Sequence, residues 1–409
     1  MARIIFLNVQ AYGHVNPSLA IVRELVQRGE EVIYYTDPKF ETTIQKMGAV
    51  YRNYPLPFLV DHARASENAF GLLLTVLKYA EEVAPLLIPE VAAQKPDYII
   101  HDGLCIWGKL VAHALKIPAI CSIPFLVFNI RNLFMNVQNF LGISNNLVKG
   151  TPQIVQFLKI ARNIDKQHHV KLYNFLLEGG AYEDFNISYT SRYFQSNERV
   201  FGTNFLFVGP SIIDRKDAKP EILEKIDGNK PLVYISLGTV MSVRQEAFYQ
   251  MCFQALGDLD VQVILAIGFE TKIEDLQHIP PNFLVRNYVP QLEILKHTKL
   301  FITHAGMNSV QESIYFEVPM IVIPQTFEQS MNAVRAENLG VAKYLKMKNL
   351  DSEVLKKASS EMLQQSPEMQ TELQKISTSF KKAGGYKRAV DGIFHYTTSI
   401  GVRKQAISS

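Results

Sequence analysis

Residues 300–312 read Leu300-Phe301-Ile302-Thr303-His304-Ala305-Gly306-Met307-Asn308-Ser309-Val310-Gln311-Glu312. Leu300 to Thr303 is a short apolar and β-branched run, the pattern of a buried strand. His304 to Ser309 turns it directly into a helix that runs to Tyr315. A helix start presents unpaired N–H groups and the positive end of the helix dipole. Ala305 and Gly306 carry no bulk beyond a methyl, so an anion can approach the backbone, and Asn308 and Ser309 add donors suited to a diphosphate. His304 can hydrogen-bond the same oxygens, and as an imidazolium it would neutralise a departing phosphate. Glu312 is three residues from Ser309 and four from Asn308, on one helical face, where a carboxylate can take both hydroxyls of a ribose. Singly, each residue has a structural explanation: Ser309 as a cap, Glu312 as a first-turn acid, His304 as a strand-end residue. The series as a whole points to a nucleoside diphosphate.

Outward from this unit the same alternation continues. Leu232–Ser236, Val261–Ala266, Phe283–Arg286 and Met320–Ile323 are further strands, with helices between them. The first half alternates likewise. Strands are expected at Arg3–Asn8, Glu31–Tyr35, Asp97–His101 and Pro118–Ser122, and helices at Pro17–Arg28, Pro38–Met47, Leu72–Gln94 and Cys105–Leu115. From Asn129 to about Glu183 the strand signal gives way to helix-like sequence, read as an insertion over the first domain. Strand and helix in alternation mean a parallel sheet with helices on both faces. The expected fold class is therefore α/β, two Rossmann-like doubly wound domains in sequence facing each other across a cleft. After Val208-Gly209-Pro210 the chain turns charged (Asp214-Arg215-Lys216-Asp217, then Glu221 to Lys230), which separates residues 1–210 from 231–375 by a linker at 211–230. The tail, from Ser366 to about Thr397, is helical and lacks a strand partner.

Several classes are excluded. A length of 409 residues suits two domains, and a net charge of +3 is too small for a broad nucleic-acid surface. Cys105, Cys121 and Cys252 are far apart in apolar segments, which reads as buried free thiols in a reducing compartment. The N-terminal apolar run breaks at Gly13 and His14, too soon for a signal peptide. The greasy stretch Leu110–Ile130 is interrupted by His113, Lys116, Pro118 and Pro124, which rules out a membrane span. A cytoplasmic protein without stable membrane association is expected. The turn Val9-Gln10-Ala11-Tyr12-Gly13-His14 has a single glycine, so the dinucleotide fingerprint is absent, and there is no P-loop. Asp258-Leu259-Asp260 resembles a metal-binding acidic pair but sits where acids usually solvate a turn.

The other informative residues are His14, just after the first strand, and Asp102, at the end of the strand Asp97–His101. In a doubly wound sheet the first strand neighbours the fourth at the switch point, where ligands bind. If Asp97–His101 is that fourth strand, the two side chains meet. An imidazole with a pKa near 6.5 can take a proton from an attacking alcohol, and a carboxylate behind it fixes the tautomer.

These residues carry a resemblance. Tyr288-Val289-Pro290-Gln291, His297, Thr303-His304-Ala305-Gly306-Met307-Asn308-Ser309, Glu312, Pro319, Pro324, Glu328-Gln329 and Asn332-Ala333 resemble the donor-binding signature of UDP-glycosyltransferases (family 1), above all the bacterial macrolide/flavonoid branch. The similarity runs from the Gly13-His14 turn to the C-terminal helix. It implies the GT-B fold, with an acceptor-binding first domain, a nucleotide-sugar-binding second domain, and a C-terminal helix at 376–409 packing back on the first. It also implies inversion at the anomeric carbon and neither metal nor cofactor beyond a UDP-sugar co-substrate. By position, His14 and Asp102 would be catalytic and Tyr288 would stack on the uracil, with Val289 and Gln291 fixing the base. Glu312 would hold the ribose, His304, Gly306, Asn308 and Ser309 the phosphates, and Glu328 and Gln329 the transferred sugar. Ser236-Leu237-Gly238-Thr239 resembles the loop under the diphosphate. Three positions depart from the pattern: Tyr288 stands where Trp is usual, Ala305 where Gly or Cys is, and Glu317 where Gly is common. The first leaves UDP against TDP open.

The acceptor is expected to be small and apolar, such as a flavonoid, macrolide or steroid-like aglycone, held by Phe70, Trp107, Phe125, Phe128, Phe134 and Met135 in or near loops after strands. Each of these could equally be a core aromatic. The expected protein is a monomeric enzyme moving a hexose, glucose, to a hydroxyl. A UDP-sugar epimerase, a non-catalytic nucleotide-sugar binder and a lipid-linked sugar transferase are the rivals.

Overall fold

The computed structural model describes residues 1–58, 69–127, 137–168, 170, 172, 175, 178–195, 200–213, 220–238 and 245–403. The chain forms two compact units, Met1–Ile212 with Lys382–Ser409, and Ile213–Lys381.

In the first unit the strands are β1 (Arg3–Leu7), β2 (Glu31–Tyr35), β3 (Val50–Arg52), β4 (Tyr98–Asp102), β5 (Ala119–Ile123), β6 (Asn186–Ser188) and β7 (Phe205–Phe207). They form one parallel sheet in the order β3-β2-β1-β4-β5-β6-β7. The chain walks outward from β1 to β3 and then returns to the other edge of β1, where Leu7 pairs with His101. That reversal brings the carboxyl ends of β1 and β4 side by side, the place where such sheets bind ligands. β1 and β4 hold almost nothing but buried side chains, because helices cover both faces. One core layer lies between the sheet and the helices Ala69–Gln94, Ile106–Leu115 and Val137–His168, around Tyr54, Tyr79, Trp107 and Phe157.

The C-terminal helix Gly385–Ser399 belongs to this first unit. Its entry is tied by the Gly385 N–H to Val208 O at 2.7 Å, Asp391 pairs with Arg28, and Tyr396 stacks on Phe185 at 5.0 Å.

In the second unit β8 (Leu232–Ser236), β9 (Gln262–Ala266), β10 (Phe283–Arg286), β11 (Thr298–Thr303), β12 (Met320–Val322) and β13 (Ala342–Tyr344) form a parallel sheet in the order β10-β9-β8-β11-β12-β13. Its reversal lies between β8 and β11, where Ser236 pairs with Thr303.

The expected strands and helices are present within a few residues of their ends. Four strands were not anticipated: β3, β6, β7 and β13, each three residues long and too short to show a period of two. The first helix also differs. It was expected at Pro17 but begins at Tyr12, with His14 N–H and Val15 N–H both bonded to Ala11 O. Pro17 therefore lies inside the helix, at a position where its ring has no backbone N–H to donate. The insertion after β5 contains the 32-residue helix Val137–His168. Among the described residues no helix is long and apolar enough to cross a membrane, and no cluster of three His, Cys, Asp or Glu side chains could hold a metal. Cys105, Cys121 and Cys252 are buried free thiols.

Candidate active site

His14 sits in the first turn of the helix Tyr12–Gln27 rather than on a loop, so its backbone is fixed. Asn8, one residue past β1, donates its Nδ2 to His14 O at 3.1 Å and to the Tyr34 hydroxyl at 2.5 Å. Ser18 Oγ donates to Val15 O and lies 2.7 Å from the same hydroxyl. This buried polar cluster holds the helix start against the sheet.

The His14 ring meets Asp102 with Nδ1 2.8 Å from Oδ2. Asp102 is 1% exposed, and its other oxygen accepts the Leu104 N–H at 2.8 Å. A buried carboxylate is tolerated only when its lone pairs are used, and here both oxygens are. The geometry puts the proton on Nδ1 and the lone pair on Nε2, the tautomer a general base needs. The Phe125 ring lies 6.3 Å from the His14 ring and caps this corner beside Gly103.

A second histidine, not anticipated as functional, stands behind the pair. His101 is fully buried, with Nδ1 3.0 Å from Asp102 O and Nε2 3.0 Å from Glu183 Oε1. Lys109 Nζ lies 3.1 Å from the same glutamate oxygen. Burial pushes the Glu183 carboxyl up, but His101 and Lys109 outweigh it and leave it below the usual glutamate value. A histidine in the otherwise uncharged stretch Tyr98-Ile99-Ile100 was the sequence signal for this group.

In the second unit the helix Met307–Tyr315 starts at Gly306 with no side chain capping it, as an anion-binding helix start requires. The His304 ring is wedged beside two glycines. A Cβ on Gly238 would lie 2.7 Å from His304 Cε1, and one on Gly306 would lie 2.5 Å from Nε2. Only glycine lets the β8 loop and the helix start close on this ring. Burial lowers the His304 pKa to about 4, against the opposing effect of a hydrogen bond that the ring donates to the Ser236 backbone. Burial thus favours the neutral ring near pH 7, in which form it is a hydrogen-bonding group. Ala305 takes the left-handed conformation (φ 64°) that the usual glycine adopts freely, and Asn332 Nδ2 binds its carbonyl at 3.0 Å.

Gln291 links Glu312, Ser309 and Tyr234. Its Nε2 donates to Glu312 Oε2 at 2.6 Å and lies 3.5 Å from Ser309 Oγ, and the Tyr234 hydroxyl donates to its Oε1 at 3.3 Å. Glu312 is buried, so this bond holds the carboxylate in one orientation. Tyr288 is 59% exposed, an open aromatic face, whereas the neighbouring Val289 is buried and can offer only its backbone. Asn308 is half-buried beside Ser309. Glu328 is exposed and accepts from Asn332. Gln329 has a local structural role. Its side-chain oxygen accepts the Gln325 and Thr326 N–H groups at 2.9 and 3.3 Å, closing a capping box on the helix Phe327–Asn338.

Of the acceptor candidates, Trp107 is a core residue. It is wholly buried and packs edge-on against Tyr54 and Tyr79 at 5.8 and 4.9 Å, because its helix turns that face to the sheet. Phe70 is half-buried and packs over Gly150, where a Cβ would lie 2.5 Å from Phe70 Cδ2. Among the described candidates only Phe125 is in ring contact with His14. Phe128, Phe134, Met135 and Thr239 lie outside the described residues.

Two parallel Rossmann-like sheets, each with polar residues gathered at its switch point, define the class. Residues 191–381 match the family profile described as UDP-glucoronosyl and UDP-glucosyl transferase. The chain is 34% identical to the Uncharacterized UDP-glucosyltransferase YojK of Bacillus subtilis (strain 168), over 96% of this chain and 97% of that protein. It is 32% identical to the NDP-glycosyltransferase YjiC of the same organism, over 94% and 95%. The solved structure of CalG4, the calicheamicin glycosyltransferase, superposes with a TM-score of 0.81 at 23% identity, covering 98% of this chain and 99% of that one. The chain belongs to the UDP-glycosyltransferase family, family 1 of the glycosyltransferases, and has the GT-B fold.

Proposed function

We propose that this enzyme is an inverting, metal-independent hexosyltransferase that moves glucose from UDP-glucose to a hydroxyl of a small apolar acceptor. The observation that carries the reading is the 2.8 Å contact between His14 Nδ1 and the buried Asp102 carboxylate. A protein that only binds nucleotide sugars has no use for an imidazole held in its base tautomer. In the reaction His14 Nε2 takes the acceptor's hydroxyl proton while that oxygen attacks the anomeric carbon. The bond from that carbon to the β-phosphate oxygen breaks, and Asp102 stabilises the imidazolium that forms. A single displacement inverts the configuration. The uncapped helix start at Met307, with Asn308, Ser309 and the neutral His304, stabilises the charge growing on the leaving UDP.

Tyr288 offers the stacking face for the base, Glu312 the acceptor for the ribose hydroxyls, and Glu328 the acceptor for hydroxyls of the sugar. UDP-glucose is favoured by the likeness to YojK, which is named an uncharacterized UDP-glucosyltransferase, whereas the likeness to the NDP-glycosyltransferase YjiC supports a wider choice of base. An apolar acceptor, of the flavonoid, macrolide or steroid-like kind, is favoured by Phe125 beside His14. We take the enzyme to act as a monomer in the cytoplasm, a reducing compartment in keeping with its three free thiols. Incubation with UDP-glucose and a panel of phenolic and macrolide acceptors, read by product mass, tests the proposal. A conjugate heavier by one hexosyl residue supports it. UDP released with no conjugate for any acceptor counts against it.

A further inference from the structure

We infer that His101 is a buried imidazolium, held by Glu183 and Lys109 behind Asp102, and that it sets the pH at which His14 becomes an active base. Hydrogen-bond polarity carries the argument. The partner of His101 Nδ1 is the Asp102 backbone oxygen at 3.0 Å, which can only accept. The partner of Nε2 is a Glu183 oxygen at 3.0 Å, which also takes the Lys109 ammonium at 3.1 Å and is therefore an ionised acceptor. A neutral imidazole has one N–H and could satisfy only one of these contacts. Two acceptors require two N–H groups, hence the cation.

The surroundings can hold that charge. A lone buried imidazolium would lose its proton, but Glu183 neutralises its charge and is itself shared with Lys109. Other titratable groups around this chain of contacts include Cys105 at the start of the helix Ile106–Leu115, Cys121 opposite His101 on β5, Tyr34 and Tyr189 near Asp102, Glu178 beside Lys109, Asp184 beside Glu183, and Tyr396 on the C-terminal helix. The thiols and phenols are pushed up, first by burial, so they stay neutral and add no charge. Gly108 lets the helix backbone close on His101: a Cβ there would lie 2.4 Å from His101 Cβ. Charge thus alternates along Lys109, Glu183, His101 and Asp102 up to the His14 ring. His101 is a positioning residue, since its contacts are to Asp102 and Glu183.

The sign of the effect follows. A cation behind Asp102 disfavours a second cation at His14 and so keeps His14 neutral, and active, to lower pH. The inference rests on His14 being the base, but its first test does not. In the full-length protein with ¹⁵N-labelled histidine, assigned by difference against His101→Gln, both ring nitrogens of His101 should carry protons at pH 7.5. In Glu183→Gln one of them should lose its proton. An unprotonated His101 nitrogen in the wild-type protein overturns the charge assignment.

The second test is the pH profile of kcat/KM. The acid limb should move to higher pH by about half to one pH unit in both His101→Gln and Glu183→Gln. A merely structural role lowers the whole profile without moving the limb, and that result overturns the tuning role even if His101 carries two protons. If His14→Ala retains activity while His101 remains doubly protonated, the assignment of the base fails and the charge on His101 stands.

Discussion

Replacing Asp102 by Asn removes a charge and almost no volume, which makes it the sharpest probe of the pair. The Leu104 N–H needs an acceptor 2.8 Å away, so the amide oxygen of Asn takes the place of Oδ1. The amide NH₂ then faces His14 Nδ1, where the carboxylate stood at 2.8 Å. An N–H donor there forces Nδ1 to accept and moves the ring proton to Nε2, the wrong tautomer for a base. The variant must also form its imidazolium with no buried countercharge. A charge pair about 4 Å apart at an effective dielectric of about 20 is worth about 4 kcal/mol, and partial exposure of His14 reduces what is lost. The expected fall in kcat is on the order of a hundredfold or more. The donor residues lie on other strands and helices, so the Kd for UDP, measured by titration calorimetry on the variant, should stay within about twofold. A kcat within about threefold of wild type refutes the tautomer argument. A UDP affinity weakened more than about tenfold makes Asp102 a structural residue instead.

Other consequences concern the second unit. His304 has its pKa lowered to about 4 in the folded protein, against an ordinary value of 6.5, so the unfolded chain binds the extra proton between those values. Stability from this group is therefore full above about pH 6.5 and is lost as the pH falls towards 4, by about 2–3 kcal/mol for a ring that is not wholly enclosed. Urea unfolding of His304→Gln across that range should show correspondingly less acid sensitivity than wild type, and equal sensitivity contradicts the neutral assignment. Ala305→Gly relieves about 1–2 kcal/mol of left-handed strain and adds about 0.4–1 kcal/mol of unfolded-state entropy, so a net gain of about 0.5–1 kcal/mol is expected by denaturant midpoint. Tyr288→Ala should weaken binding of uridine and UDP by a similar factor of about ten while inorganic pyrophosphate binding is unchanged; equal loss for all three shows that the residue supports the fold and not the base.

Much of this was legible in the sequence, and for physical reasons. β1, β4 and β11 carry short buried apolar runs (residues 4–7, 98–100 and 300–302), the pattern of strands covered by helices, and the glycines after the first two helices end them in the left-handed conformation (φ 87° at Gly29, 84° at Gly48). The meeting of His14 with Asp102 followed from topology alone, because β1 and β4 flank the reversal. The helix start escaped because Pro17 looked like a first-turn proline, when the chain had already entered the helix at Tyr12. The capping role of Gln329 was also in view, because Thr326-x-x-Gln329 is a capping-box spacing. Trp107 follows a strand like a pocket residue, but which side of its helix faces the sheet is decided by packing. The neutral state of His304 and the contacts of His101 depend on groups far away in the chain, Gly238 and Glu183, and no local pattern encodes them.

The most direct measurement is the turnover of His14→Ala on two acceptors of different acidity. On an aliphatic alcohol, which cannot shed its proton unaided, the loss should be at least about a hundredfold, and on an acidic nitrophenol, already largely ionised at neutral pH, it should shrink to a few-fold. Near wild-type transfer to the alcohol, or an equal loss on both acceptors, contradicts the assignment of this imidazole as the base.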